Sequence, residues 1–260
     1  MGPMRQILYL CSITFRDGYP HKTAIYPSEF TGNVRFMTYD LYIGDRTFSS
    51  WSLRGWLMLE KFGLPFRTHL VGLYDGTMAA DMAHLAPAKL VPALQLPDGT
   101  VVGESIAIAE TLAERHPDAG LWPDDPAARA TARMLCAEMA AGFGALRNQC
   151  PMQLQHVNTG FQPSEATRAD LARIETLWTH ARSFASDGPW LFGAYSLADA
   201  FYAPVCARII GYDLPVSEAA RAYCATTLSD PAFKAWRAEG LKTTYDPFPY
   251  DMGTPVADWP

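Results

Sequence analysis

Three short stretches carry residue types suited to holding a small polar guest. Lys89-Leu90-Val91-Pro92-Ala93-Leu94 is followed ten residues on by Glu104-Ser105, and Ser49-Ser50 stands well upstream of both. A proline at the start of a strand removes one ladder donor and makes Val91-Pro92 a candidate cis bond. It leaves the Val91 backbone free to pair with something other than protein. Glu104-Ser105 opens an apolar-periodic segment, so a helix N-terminus lies nearby. Such a terminus favours anions. The combination points to a site for a peptide-like anion. Ser49-Ser50 places two hydroxyls at the start of another helix, where they serve as N-caps or as donors to a bound group.

The elements that must position these residues alternate. Tyr39–Ile43 reads as a strand and Gly44–Thr47 as a loop. Leu53, Trp56 and Leu57 then show helical spacing, ended by Gly63 and Pro65. Phe66–Val71 alternates like a strand, and a short helix is expected near Met78–Leu85. Ala93–Leu96 and Thr100–Val102 flank a Pro97-Asp98-Gly99 turn, and Glu104–Arg115 is expected to be helical. The order β-α-β-α-β-β-α implies an α/β unit with a mixed sheet. His116–Pro126 is rich in proline, glycine and aspartate and reads as a linker. Helical patterns follow at Ala127–Gln149, Pro163–Ala185, Leu197–Ile210, Ser217–Thr227 and Pro231–Glu239. The expected divisions are an N-terminal extension over 1–36, poorly ordered; an α/β domain over 37–116; a linker over 117–126; an all-α domain over 127–244; and an extended tail over 245–260. Met37 is a candidate natural start.

With 260 residues, 49% hydrophobic and 18% charged, the chain is long enough for a sizeable core. Its 21 basic and 27 acidic residues give a net charge of −6, which argues against nucleic acid as a partner. No CxxC or HxxxH spacing signals a metal site. The five cysteines are odd in number and widely spaced, which reads as reduced, mostly buried thiols in a cytoplasmic setting. No apolar run is long enough to span a membrane, and Ile7–Ile13 makes a poor signal peptide.

This plan resembles the cytosolic glutathione transferase family, a thioredoxin-like N-terminal domain followed by an all-helical one. Four matches over residues 39 to about 242 carry the resemblance. Ser49-Ser50-Trp51-Ser52-Leu53-Arg54 is similar to the Ser-Ser-Cys-Ser-Trp-Arg motif of the zeta class. Ala86-Pro87-x-Lys89-x-Val91-Pro92-Ala93-Leu94 is similar to Asn-Pro-x-x-x-Val-Pro-x-Leu. Glu104-Ser105-x-Ala107-Ile108 matches Glu/Gln-Ser-x-Ala-Ile, and Ser196-Leu197-Ala198-Asp199 matches the family's capping box. Ala145-Leu146-Arg147 with Pro151-Met152 resembles a bacterial branch. Trp51 stands where the zeta motif has cysteine, which sets transfer ahead of isomerisation, and Ala86 replaces the usual asparagine.

The resemblance implies a glutathione-dependent enzyme with glutathione as co-substrate and no metal. A free thiol has a pKa of about 8.5; lowering it by two units needs roughly 2.7 kcal/mol of thiolate stabilisation. By resemblance Ser49 faces the sulfur, with Ser50 its neighbour or substitute. Val91, aided by Pro92, pairs with the tripeptide backbone. Glu104 and Ser105 hold its γ-glutamyl end. Arg54 and Lys89 meet a carboxylate or form surface or interdomain salt bridges, and His84 stabilises a turn. Arg147, Gln149 and Met152 are candidates for the wall facing a small hydrophobic electrophile. Ser196 and Asp199 are structural. The expected reaction is transfer, with zeta-type isomerisation, thiol exchange through a protein cysteine, and a non-catalytic interaction module as rivals. Thiol exchange ranks low because no cysteine lies between Cys11 and Cys136. A homodimer is expected.

Overall fold

A computed structural model describes residues 38–74, 76–242 and 252–260. The expectations for residues 1–36, including Cys11, lie outside the described residues. Strands β1 (Tyr39–Ile43) and β2 (Phe66–Leu70) run parallel. Strand β3 (Ala93–Gln95) pairs antiparallel with β1, and β4 (Val101–Val102) antiparallel with β3, giving the order β2-β1-β3-β4. This is the mixed sheet that the alternation implied. Parallel β1 and β2 require a crossover, which helix α1 (Ser50–Glu60) supplies. Gly99, at φ 89°, turns the β3–β4 hairpin. Tyr39, Leu41 and Ile43 point from β1 into the core and are fully buried.

Helix α1 forms because Ser49 caps it and its apolar residues recur at helical spacing. Leu53, Leu57, Met58 and Leu59 are buried, each contributing about 1.5–3 kcal/mol. Its middle approaches the chain before β3. A Cβ on Gly55 would lie 2.7 Å from Pro92 Cβ, so glycine here lets α1 sit directly on the Val91-Pro92 step. Both the Val91-Pro92 and Ala86-Pro87 peptides are cis. Between β2 and β3 lie the short helix α2 (Met78–Met82) and a 3-10 turn at Ala83–Leu85. Helix α3 (Ser105–Arg115) covers the sheet with Ile108, Ala109 and Leu112.

Helices α4 (Pro126–Ala141), α5 (Gly144–Gln149), α6 (Glu165–Arg182), α7 (Leu197–Gly211), α8 (Glu218–Ser229) and α9 (Pro231–Gly240) follow. The single helix expected over Ala127–Gln149 is therefore two. Gly142 leaves helical geometry and Phe143 takes a left-handed φ of 58°, burying its ring and redirecting α5. Helix α7, apolar except for Asp199 and Arg208, is buried on nearly every side because it is the centre of the bundle. The expected linker holds a 3-10 turn at Pro117–Ala119 and buries Leu121 and Trp122. In the tail, β6 (Val256–Asp258) pairs antiparallel with β5 (His156–Asn158), a small sheet that sequence periodicity did not signal. Among the described residues no helix is long and apolar enough to cross a membrane.

Candidate active site

A cavity of about 870 Å³ opens where the start of α1, the chain before β3, the start of α3 and the α5–α7 region meet. Ser49, Ser50, Lys89, Val91, Pro92, Glu104, Ser105, Arg147 and Met152 all line it. Residues spread over more than a hundred sequence positions thus share one wall. Gln149 is not among the lining residues. Its Oε1 instead accepts from the Ser164 N–H at 2.9 Å and from the Thr167 hydroxyl, anchoring the start of α6. It lies two residues after Arg147 on the same short helix, so both cannot face one cavity.

Each wall has its own physical character. Ser49 caps α1: its hydroxyl accepts from the Ser52 N–H at 3.3 Å and shares a hydrogen bond with Ser52 Oγ at 2.7 Å. Ser52 Oγ in turn accepts from the Gly44 N–H at 2.9 Å, tying the cap to the end of β1. Ser50, the first helical residue, accepts from Arg208 Nη2 at 3.3 Å. Neither serine exceeds 8% exposure. Val91 precedes the strand, and its N–H and C=O have no hydrogen-bond partner among the described residues. Across the cavity, Ser105 is 2% exposed and its hydroxyl has no hydrogen-bond partner there either. Glu104 before it holds φ 60° and ψ 122°. Sparsely populated backbone geometry of this kind costs a non-glycine residue of order 1–3 kcal/mol and gathers at functional sites.

The remaining wall is aromatic and cationic. Phe48, Trp51, Tyr74 and Met78 supply apolar surface. Trp51 lies between two guanidiniums, with Arg54 at 4.3 Å and Arg147 at 5.6 Å from its ring centroid. Among the described residues Arg54 forms no salt bridge, so it is not the surface or interdomain ion pair that was one of its expected roles. It is fully buried, and none of its three guanidinium nitrogens has a hydrogen-bond partner among the described residues. Burial first, then repulsion from Arg208 and Arg147, lowers its pKa to about 9. Its face packs on Trp51 and on Phe201 at 5.4 Å. Arg208, on α7, also lines the cavity and escaped the sequence reading, being separated from Ser50 by 158 positions. The four described cysteines, Cys136, Cys150, Cys206 and Cys224, are buried free thiols, and none lines the cavity. Burial pushes the Cys150 thiol up to about 12. His84 bonds the Tyr42 hydroxyl at 3.2 Å, away from the cavity.

Residues 48–115 match the family model described as glutathione S-transferase, N-terminal domain. A probable maleylacetoacetate isomerase of Caenorhabditis elegans is 37% identical over 114 residues, 44% of this chain and 52% of that protein. The chain thus spans about half the length of this curated relative. A solved maleylacetoacetate isomerase from Anaeromyxobacter dehalogenans 2CP-1, with dicarboxyethyl glutathione and citrate in its active site, is 30% identical. The match covers 77% of this chain and 94% of that one, with a TM-score of 0.54. A glutathione transferase homolog from Burkholderia GL BGR1 with bound glutathione is 25% identical over 79% of this chain and 99% of that one, with a TM-score of 0.59.

Proposed function

Because this chain belongs to the cytosolic glutathione transferase family, we propose that its cleft binds glutathione and converts the bound thiol into a thiolate that attacks an electrophilic carbon. One observation carries this reading. A backbone edge without partners at Val91, a buried hydroxyl without a partner at Ser105, and two hydroxyls at the start of α1 all face one cavity. A tripeptide with a carboxylate at each end and a thiol between needs those three devices. Val91 would pair with the cysteinyl backbone as a one-residue strand addition. Ser105 and the free N–H groups of α3 would take the γ-glutamyl carboxylate, with Glu104 accepting from its ammonium group. Lys89 suits the glycyl carboxylate. The serine hydroxyls and the positive end of α1 would stabilise the thiolate.

The expected electrophile is modified by the composition of the wall. Phe48, Trp51 and Met152 favour an apolar body, while Arg147 and Arg208 favour an acidic substituent. That feature, with the isomerases among the relatives, supports a second reading as a zeta-type cis–trans isomerase acting on an unsaturated dicarboxylate. The assay that separates them is glutathione consumption. Transfer uses one glutathione per turnover, and isomerisation regenerates it. Conjugation of a chlorinated nitroaromatic is expected to fall by about tenfold to 100-fold in the Ser49→Ala/Ser50→Ala double variant. Unchanged turnover would remove the serines from the mechanism. A glutathione-binding part over 37–116, a helical part over 127–244, a cytoplasmic setting and homodimerisation belong to the same proposal. Sedimentation of the full chain checks the dimer.

A further inference from the structure

We propose that the tail strand β6 with Trp259 is a strap that sets the electrophile side of the cleft. Trp259 is its positioning residue, acting through Arg237 of α9 on the wall that carries Pro151 and Met152. The inference rests on the glutathione reading above and adds what shapes the second-substrate half. Pro151 and Met152 line the cavity, yet residues 150–155 form neither helix nor strand. Regular backbone pairing therefore does not fix this stretch of wall. Side chains from two helices do so instead. At one end, Arg208 Nε donates to the Cys150 carbonyl at 2.8 Å and the Tyr212 hydroxyl to the Pro151 carbonyl at 2.7 Å. At the other, Arg237 Nε donates to the Leu154 carbonyl at 2.8 Å and its Nη2 to the Gln155 carbonyl at 3.4 Å. Met152 hangs between these two anchors.

The tail holds the second anchor from outside. The Arg237 guanidinium lies 5.1 Å from the Trp259 ring centroid, a distance at which the cation and the ring face attract. Trp259 rests where α7 is bare: a Cβ on Gly211 would lie 3.4 Å from its ring. Just before it, β6 pairs with β5, which continues directly from the wall. The Thr159 N–H donates to the Pro255 carbonyl at 2.8 Å, and the Thr254 hydroxyl to Asn158 Oδ1 at 3.1 Å. All three residues of β6 are exposed, so the strand buries little apolar surface. Its contribution is to location more than to the core. The planar fork of Arg237 spans two carbonyls, so a tilt of that plane moves both. Val91 and Ser105 stand on other walls of the cavity and bear no contact to the tail among the described residues. The strap therefore governs the electrophile side and leaves the glutathione side alone.

The test compares Trp259→Ala, Trp259→Phe and Arg237→Lys with the wild type, all as full-length protein. Three quantities are measured: kcat and KM for a chlorinated nitroaromatic at saturating glutathione, calorimetric glutathione binding, and backbone hydrogen exchange. Trp259→Ala is expected to raise KM for the electrophile about fivefold, with kcat within about twofold and glutathione affinity unchanged. Exchange over residues 150–158 should speed up about tenfold, while the start of α1 keeps its wild-type rate. Trp259→Phe keeps an aromatic face over the guanidinium and should restore most of the loss. Arg237→Lys keeps the charge without the fork and should raise KM in the same direction. It also decides the matter if Trp259→Ala does not fold, as judged by circular dichroism. A folded Trp259→Ala with unchanged KM and unchanged exchange would overturn the strap. So would a glutathione affinity that falls as far as KM rises, since that marks a change in the whole cleft. Absence of glutathione binding to the wild type would overturn the reading beneath, and hydrogen exchange would still judge the strap.

Discussion

Arg54 sets the sharpest energetic question at the scale of single residues. A fully buried guanidinium with no hydrogen-bond partner or counter-ion among the described residues is costly, and stacking on Trp51 offsets only part of that cost. Arg54→Met keeps the side-chain volume and removes the charge. Urea unfolding is expected to show stabilisation of about 1–3 kcal/mol. A loss of similar size would mean that the charge has a compensating partner in the fold. Some of these residues were legible in the sequence because short motifs tie residue type to backbone role. Ser49-Ser50, Val91-Pro92 and Glu104-Ser105 sit at element starts, where helix or strand geometry dictates their direction. Gln149 was misread because no local pattern says which side of a one-and-a-half-turn helix faces a cavity. Arg208 was missed because its partner lies in another element, brought near only by tertiary packing.

The helix termini do most of the positioning at the scale of elements, and α7 shows how firmly one can be fixed. Asp199 Oδ2 accepts from the Ser196 N–H at 2.8 Å and its hydroxyl at 3.2 Å, while Oδ1 accepts from the Leu191 N–H and the Tyr223 hydroxyl. Ser196 and Asp199 form the capping box of α7. Burial outweighs these bonds and raises the Asp199 pKa to about 6. An unfolded aspartate titrates at roughly 4. The folded state therefore binds this proton more tightly, so the contribution is fully present below pH 4 and is lost as pH rises through 6. Relative to Asp199→Asn, the wild type should lose roughly 3 kcal/mol of its stability advantage between pH 4 and pH 6, then stay level. Urea unfolding of both proteins across that range measures it. An advantage that grows with pH would reverse the sign. The capping box was readable because its spacing is local. The break between α4 and α5 was not, because Phe143 adopts a left-handed backbone to bury its ring, a tertiary demand that overrides helical periodicity.

Across the whole described molecule, the sheet-bearing part and the helical part share their polar and aromatic contacts. Trp236 packs on Trp56 with ring centroids 5.4 Å apart, and its Nε1 donates to the Arg46 carbonyl at 2.7 Å. The Thr47 hydroxyl donates to the Gly240 carbonyl at 2.6 Å. The described residues belong to one compact unit. Thermal unfolding followed by far-ultraviolet circular dichroism and tryptophan fluorescence should give one coincident transition. Trp236→Ala should cost about 3–5 kcal/mol, and two separated transitions in the wild type would show that the parts fold independently. The mixed sheet and the helical region were legible from alternating periodicity. The β5–β6 pairing was not, since three-residue strands as far apart in the chain as Val157 and Ala257 leave no periodic trace. The cleft depends on this joint, because α1 and α7 bring Ser50 and Arg208 together across it. The most direct measurement is an ultraviolet titration of glutathione bound to the wild-type protein. The thiol should ionise about two units below its free value of about 8.5. Bound glutathione that ionises at the free value, or no binding at millimolar concentration, would refute thiolate activation in this cleft.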